Sequence, residues 1–182
     1  MVEKYKNVNT SFTLYKISGG IVMKKIGSLL LVVVMGLALL AGCGSDPVLE
    51  DFQNYLNVEM VEVNANYEKI TAEVGNWSNF ESDEQLLTSL KDNLLPLVED
   101  SIKKLAGIEP ATEEVKAIKA KYQKVMEAYK DGFEGMAACI AAGDDTNLEA
   151  ATARLEEGIE FLEEYNAALE ALAAEKGYEI EY

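Results

Sequence analysis

The stretch TEEVKAIKAKYQKVMEAYKDGFEGMAACIAAG, residues 112–143, decides the fold. Its apolar residues Val115, Ile118, Tyr122, Val125, Tyr129, Phe133, Met136 and Ile140 step by three or four and never by two. That period belongs to a helix with one buried stripe. A helix opening near Pro110 or Thr112 and stopping before Gly143 is about 45 Å long at 1.5 Å per residue.

The same pattern repeats on both sides. Asp46 and Pro47 make an N-cap and a first helical residue. Behind them Leu49, Phe52, Leu56, Met60, Val63, Tyr67, Ile70 and Val74 mark a first helix. Gly75 offers it a left-handed C-terminal cap. A loop from Asn76 to Glu81 carries the single tryptophan, Trp77. Ser82-Asp83-Glu84-Gln85 is a capping-box pattern, and Leu87, Leu90, Leu94, Val98, Ile102 and Leu105 carry a second helix to Gly107. Pro96 removes one backbone bond inside it and predicts a kink near Asp92. The last helix is capped by Asp144 or Asp145. It shows Leu148, Ala151, Leu155, Ile159, Leu162, Tyr165, Leu169 and Leu172 before Lys176-Gly177. Short connections force neighbours to run antiparallel. The expected class is all-α, an antiparallel up-down four-helix bundle over residues 47–177 with a tail at 178–182.

Composition removes several functions. The chain of 182 residues has 16 Lys+Arg against 32 Asp+Glu, no histidine and two cysteines. Without histidine there is no Ser-His-Asp, Cys-His or HExxH chemistry. A formal charge of −16 argues against nucleic acid, because nothing would neutralise a row of phosphates.

The N-terminal quarter carries an address. Met23-Lys24-Lys25 precedes an apolar run from Ile26 to Ala41, then Gly42-Cys43. A basic start, an apolar stretch and small closing residues make a secretory signal over residues 23–42, too short to span a bilayer as a helix. Leu40-Ala41-Gly42-Cys43 resembles the lipobox of bacterial lipoproteins. The resemblance implies recognition of Leu40, Ala41 and Gly42 by a signal peptidase that cuts before Cys43. It also implies a diacylglyceryl group on the Cys43 thiol, with palmitate-type acyl chains in membrane lipid. Ser18-Gly19-Gly20 can be written TCA-GGA-GGT, a ribosome-binding sequence six nucleotides upstream of Met23. Residues 1–22 are therefore expected to be an upstream extension, with translation starting at Met23. The mature chain would begin at Cys43 with a short linker, 43–46. Removal takes five lysines and Glu3, leaving 11 basic and 31 acidic residues. With Cys43 lipidated, Cys139 has no disulfide partner.

Candidate sites are sparse. Glu156, Glu160, Glu163 and Glu164 have helical spacing, but no histidine completes a di-metal carboxylate motif, so a solvated acidic face is expected and no metal centre. Asp144-Asp145-Thr146-Asn147 lacks the spacings of an EF-hand; weak divalent-cation association is the most it offers. Cys139 has no cationic neighbour and reads as a small core residue. Tyr55, Tyr67, Tyr122, Tyr129 and Tyr165 are core candidates. Of these, Tyr67, Tyr122 and Tyr129 are the residues expected to line a ligand pocket if one exists. Gly132, Gly135 and Gly158 interrupt good helices and mark either a close helix contact or a bend. Lys116, Lys119, Lys121, Lys124 and Lys130 are expected to pair with acidic neighbours; the sharper alternative is a docking stripe for an anionic wall polymer.

No nucleophile–base pair, phosphate-cradling loop or cofactor motif is present, so no enzyme, catalytic residue or cofactor is expected. The reading is a membrane-anchored cell-surface lipoprotein on the extracytoplasmic face of a bacterial membrane. It would be a non-enzymatic binding or scaffolding module for a membrane-proximal protein partner, held through acylated Cys43. The lipobox and the Lys-rich, Arg-poor, His-free composition resemble the small helical-bundle surface lipoproteins of Gram-positive bacteria. The alternative is a receptor for a small apolar or cationic ligand bound between the helices.

Overall fold

The computed structural model describes residues 46–180 and, ahead of them, the short segments 14–17 and 20–23. The apolar run 26–41, the lipobox and Cys43 lie outside the described residues. The two short segments are strands, β1 (Leu14–Ile17) and β2 (Gly20–Met23), paired antiparallel with Leu14 opposite Met23 and Ile17 opposite Gly20. Tyr15, Ile17, Ile21 and Val22 are β-formers and lie ahead of residues 47–177, the span for which helices were expected.

From residue 46 onward all regular structure is helical. Asp46 caps α1 (Pro47–Asn54), its carboxylate accepting from the amides of Val48 and Leu49 at 2.9 and 3.2 Å. A π-turn, Tyr55–Glu59, follows, with the Met60 amide donating to the Tyr55 carbonyl. The chain continues as α2 (Val61–Asn76) and a 3-10 turn, Trp77–Asn79. Ser82 caps α3 (Asp83–Thr88), accepting from the Gln85 amide while Gln85 reaches back to the Glu81 amide. A second π-turn, Ser89–Leu94, leads into α4 (Leu95–Gly107). Then come α5 (Glu113–Ala142) and α6 (Leu148–Lys176).

The π-turns explain how two imperfect stripes stay buried. Tyr55 and Met60 are both 0% exposed, yet five α-helical steps would set them about 140° apart. The wide turn absorbs one extra residue and returns both to the core. In the second run Leu86, Leu90, Leu94 and Val98 are all buried at steps of four, which drift around a regular helix; the second π-turn restores the register. It also resolves the proline. Pro96 falls in the first turn of α4, where its missing amide is not needed, and the Leu95 amide donates to the Leu90 carbonyl. The kink expected near Asp92 is therefore a widened turn.

Helix ends also depart from expectation. Gly143 and Gly177 are left-handed caps, with φ of 62° and 65°. Gly75 and Gly107 are not: both still belong to their helices, Gly107 as the last residue of α4, and the caps are Trp77 and Ile108. The last helix is preceded by Asn147 rather than capped by Asp144 or Asp145. Asp144 instead accepts from the Thr146 amide at 2.9 Å and from the Thr146 hydroxyl, a local turn that competes with capping.

Polar contacts tie the elements in descending register. Glu62 and Asn66 of α2 meet Lys104 and Asp100 of α4 at 2.8 and 2.7 Å. Asp131 and Lys121 of α5 meet Arg154 and Glu164 of α6, both at 3.1 Å. Lys176 at the end of α6 returns to Asp46 at the start of α1, also at 3.1 Å. The tail adds to the core, because Tyr178 is buried and stands edge-on to Phe52 at 5.9 Å. Trp77, expected in a loop, is 3% exposed and donates its indole N–H to the buried Ser89 hydroxyl at 2.8 Å.

The glycines of the last two helices mark contact, not bending. A Cβ on Gly132 would lie 2.4 Å from Leu155, one on Gly135 2.8 Å from Ala151, and one on Gly158 2.6 Å from the Tyr129 ring. Bare backbone at these positions lets α5 and α6 approach closely.

Candidate functional site

Five tyrosines gather inside the helical body. Tyr55 comes from the first π-turn, Tyr67 from α2, Tyr122 and Tyr129 from α5, and Tyr165 from α6. Tyr67, Tyr122, Tyr129 and Tyr165 occupy positions of their stripes, Tyr55 adjoins Leu56, and all are buried. The structure thus brings the three sequence candidates, Tyr67, Tyr122 and Tyr129, into one cluster and adds Tyr55 and Tyr165 to it.

The cluster has two halves. In one, the Tyr67 and Tyr129 rings stack with centroids 6.4 Å apart and planes 25° apart, and Phe133 follows Tyr129 at 6.0 Å. Burial pushes both phenols up, and for Tyr67 the neighbouring Tyr129 partly offsets it. In the other half, the Tyr122 and Tyr165 rings lie 4.7 Å apart at 52°. Tyr165 is among the groups that shift Tyr55, while no hydrogen bond reaches the Tyr55 hydroxyl. The hydroxyls of Tyr55 and Tyr122 and Oε2 of Glu59 are buried without a hydrogen-bond partner. Such orphans cost about 1–3 kcal/mol each.

Burial drives the ionisation of this second half. It pushes Tyr55, Tyr122 and Tyr165 upward, with the charges of the neighbouring tyrosines next for Tyr55 and Tyr122. Glu59 adds to the rise at Tyr55. The phenols therefore stay neutral, and the cluster offers hydrogen bonds and aromatic faces rather than a base or nucleophile.

Glu59 was not singled out in the sequence. It sits between stripe positions Leu56 and Met60, and only the π-turn carries it half inward. Asp51 was missed for a related reason. It lies on α1, yet its carboxylate accepts from the amides of Ala111 and Thr112 at 3.0 and 2.8 Å and from the Thr112 hydroxyl at 2.6 Å. It thereby serves the N-terminus of α5, whose own Thr112 makes no side-chain cap. Burial raises the Asp51 carboxyl, and these hydrogen bonds together outweigh it and hold the group below the usual range.

The remaining candidates are occupied by local contacts. Lys116 pairs with Glu113 at 2.7 Å, Lys121 with Glu164 at 3.1 Å and Lys130 with Glu134 at 3.2 Å. Lys119 donates to the Ile108 carbonyl at 2.6 Å, and Lys124 sits 5.6 Å from the Phe161 ring centre. Three of the five lysines thus pair with acidic side chains as expected, while Lys119 and Lys124 meet a carbonyl and a ring instead. A solvent-open hollow of about 440 Å³ lies at the α4–α5 corner beside Lys116 and Lys119. Glu160, Glu163 and Glu164 are exposed, and Cys139 is a buried free thiol. Among the described residues no group of three or more acidic, cysteine or histidine side chains is placed to hold a metal, and no helix is long and apolar enough to cross a membrane.

Comparison with protein-family models, with curated proteins and with solved structures returned no match.

Proposed function

We propose that this chain is a lipid-anchored surface protein, attached through Cys43, whose mature part is an antiparallel up-down four-helix bundle. It serves as a non-enzymatic binding or scaffolding module for a membrane-proximal partner. The observation that carries the anchor is Leu40-Ala41-Gly42-Cys43 at the close of an apolar run. The descending register of the polar contacts and the Asp46–Lys176 pair, which brings the first and last helical turns together, support the bundle.

The cap at Asp46 gives the proposal a mechanical content. Only Gly44 and Ser45 separate it from Cys43, a reach of about 10 Å for three extended residues. Two acyl chains anchor stably where one is marginal. A mature domain with 31 acidic and 11 basic residues is repelled by anionic lipid within about 8 Å. The bundle would therefore stand away from the bilayer on its short tether, presenting its flanks to neighbours and weakly associating divalent cations. Five buried phenols pushed upward by burial, and lysines engaged by carboxylates, a carbonyl and a ring, support a binding role over a catalytic one.

Intact mass and membrane partitioning of the native protein, beside a Cys43→Ala variant, test this. The expected result is a diacylated species beginning at Cys43, with unprocessed or soluble material in the variant. An unmodified chain from Met1 would overturn it.

A further inference from the structure

The outer face of the first helical run carries apolar surface that nothing covers. Among the described residues the exposed large hydrophobic side chains are Val58 at 66% and Val61 at 48%. They stand one helical turn apart, in a chain with a formal charge of −16. They belong to an exposed stripe, Glu50, Asn54, Val58, Val61, Ala65 and Lys69, whose members step by three or four. The first π-turn, Tyr55–Glu59, keeps this stripe straight. On a regular α-helix Glu50 and Lys69 would sit about 100° apart; with one residue absorbed in the wide turn they return to the same side. Among the described residues neither charged end forms an ion pair.

The order of these residues selects the occupant. From one end the stripe reads acid, small polar, valine, valine, small apolar, base. A second copy running antiparallel, about a two-fold axis between Val58 and Val61, therefore matches it position for position. Each Val58 meets the partner's Val61, Asn54 meets the partner's Ala65, and Glu50 meets the partner's Lys69. Symmetry makes every one of these contacts twice, as a self-complementary patch requires. A parallel copy would instead set Glu50 on Glu50 and Lys69 on Lys69, like charges that oppose the contact. Two molecules of this net charge repel one another at long range. They can touch where apolar surface is buried and each acid finds a lysine.

We propose that this stripe is the contact of an antiparallel homodimer. Six residues a copy fall short of the roughly 20–30 of a standard interface, so the dimer is reversible and concentration-dependent. The inference goes beyond the anchored-module reading and does not rest on it, since it uses the span 50–69 alone. In the pair the two Asp46 caps lie about 40 Å apart, at opposite ends. Copies anchored to one bilayer through Cys43 would thus meet with this helical run lying along the membrane.

Disulfide trapping in the full-length chain tests the proposal, in mild detergent and in a Cys43→Ala background that leaves the buried Cys139 as the native thiol. Asn54→Cys and Ala65→Cys chains, mixed and oxidised, should give a mixed dimer about tenfold above either self-dimer. Like positions lie about 16 Å apart along an antiparallel pair, beyond the roughly 7 Å that a disulfide spans. Val58→Asp should all but abolish trapping. Lys69→Glu should weaken it several-fold, and adding Glu50→Lys should restore it. Every substituted position is exposed, so the unfolding midpoints should match that of the parent. Self-dimers in excess of the mixed dimer would mean a parallel pair, and a statistical mixture would mean chance encounter in the micelle. Either result would overturn the dimer, as would a charge reversal that Glu50→Lys fails to repair.

Discussion

Along the α5–α6 seam the backbones meet almost bare: Gly132 lies under Leu155, Gly135 against Ala151 and Gly158 against the Tyr129 ring. Where the first helical run faces the same pair, the space is filled by whole tyrosine rings, and two of their hydroxyls and one glutamate oxygen find no partner. At the glycines the first seam has been shortened until a side chain of the facing helix rests on bare backbone. The second has been widened by bulk, with a π-turn to aim that bulk inward. Close packing leaves no freedom for adjustment, so the first seam is a rigid support. The second holds buried polar groups without partners.

The largest effect that would break this contrast lies in the tight seam. Gly132→Val should destabilise the protein by about 3 kcal/mol, since its Cβ would overlap Leu155 and press on the Ala151 carbonyl. Chemical denaturation measures it, and adding Leu155→Ala should recover part of the loss. If Gly132→Val were neutral, the two seams would not differ in rigidity.

Asp51→Ala comes next, at about 1–2 kcal/mol allowing for solvent screening, because it frees three donors at the start of α5. Asp51 is held below its ordinary value, so its contribution is complete above about pH 4. It is lost as pH falls through the lowered folded value. The stability gap between parent and variant should therefore close in acid; a gap that widened there would mean that the hydrogen bonds do not favour the charged form.

Within the tyrosine cluster the two halves should respond differently. Tyr122→Phe should gain up to about 1 kcal/mol, because it removes an unpartnered hydroxyl. Tyr129→Phe should gain nothing, because its hydroxyl is not among the buried unpartnered groups. Urea midpoints for the pair would sharpen the distinction, and equal gains would erase it. The smallest effect belongs to the surface: Lys121→Met breaks the pair with Glu164 and should cost only a few tenths of a kcal/mol.

How much of this was legible follows from which features are periodic. The stripe of α5 from Val115 to Met136 is buried as its spacing predicts, with Ile140 half-buried at its end. Asp46, Pro47, Ser82, Gly143 and Gly177 act at the helix ends where their chemistry places them. Gly75 and Gly107 misled because glycine permits a left-handed cap without requiring one. Trp77 read as a loop residue because no period reaches it, yet the 3-10 turn delivers it to Ser89 and Phe133. Tyr67, Tyr122 and Tyr129 were visible as candidates, but Glu59 was not. Its half-inward orientation depends on an i→i+5 turn that the local sequence does not announce.

By itself the sequence determined the helical class, most helix boundaries, the acidic balance and the Leu40–Cys43 pattern on which the proposed anchor rests, because propensity, capping and charge act over a few residues. Only the tertiary structure decided that three glycines are contacts and not bends, that Asp51 serves a helix 60 residues away, and that the Tyr55 and Tyr122 hydroxyls and Oε2 of Glu59 are buried without partners. Each of those depends on which surfaces meet across the fold, and a buried atom acquires its cost or its partner only when another segment closes over it.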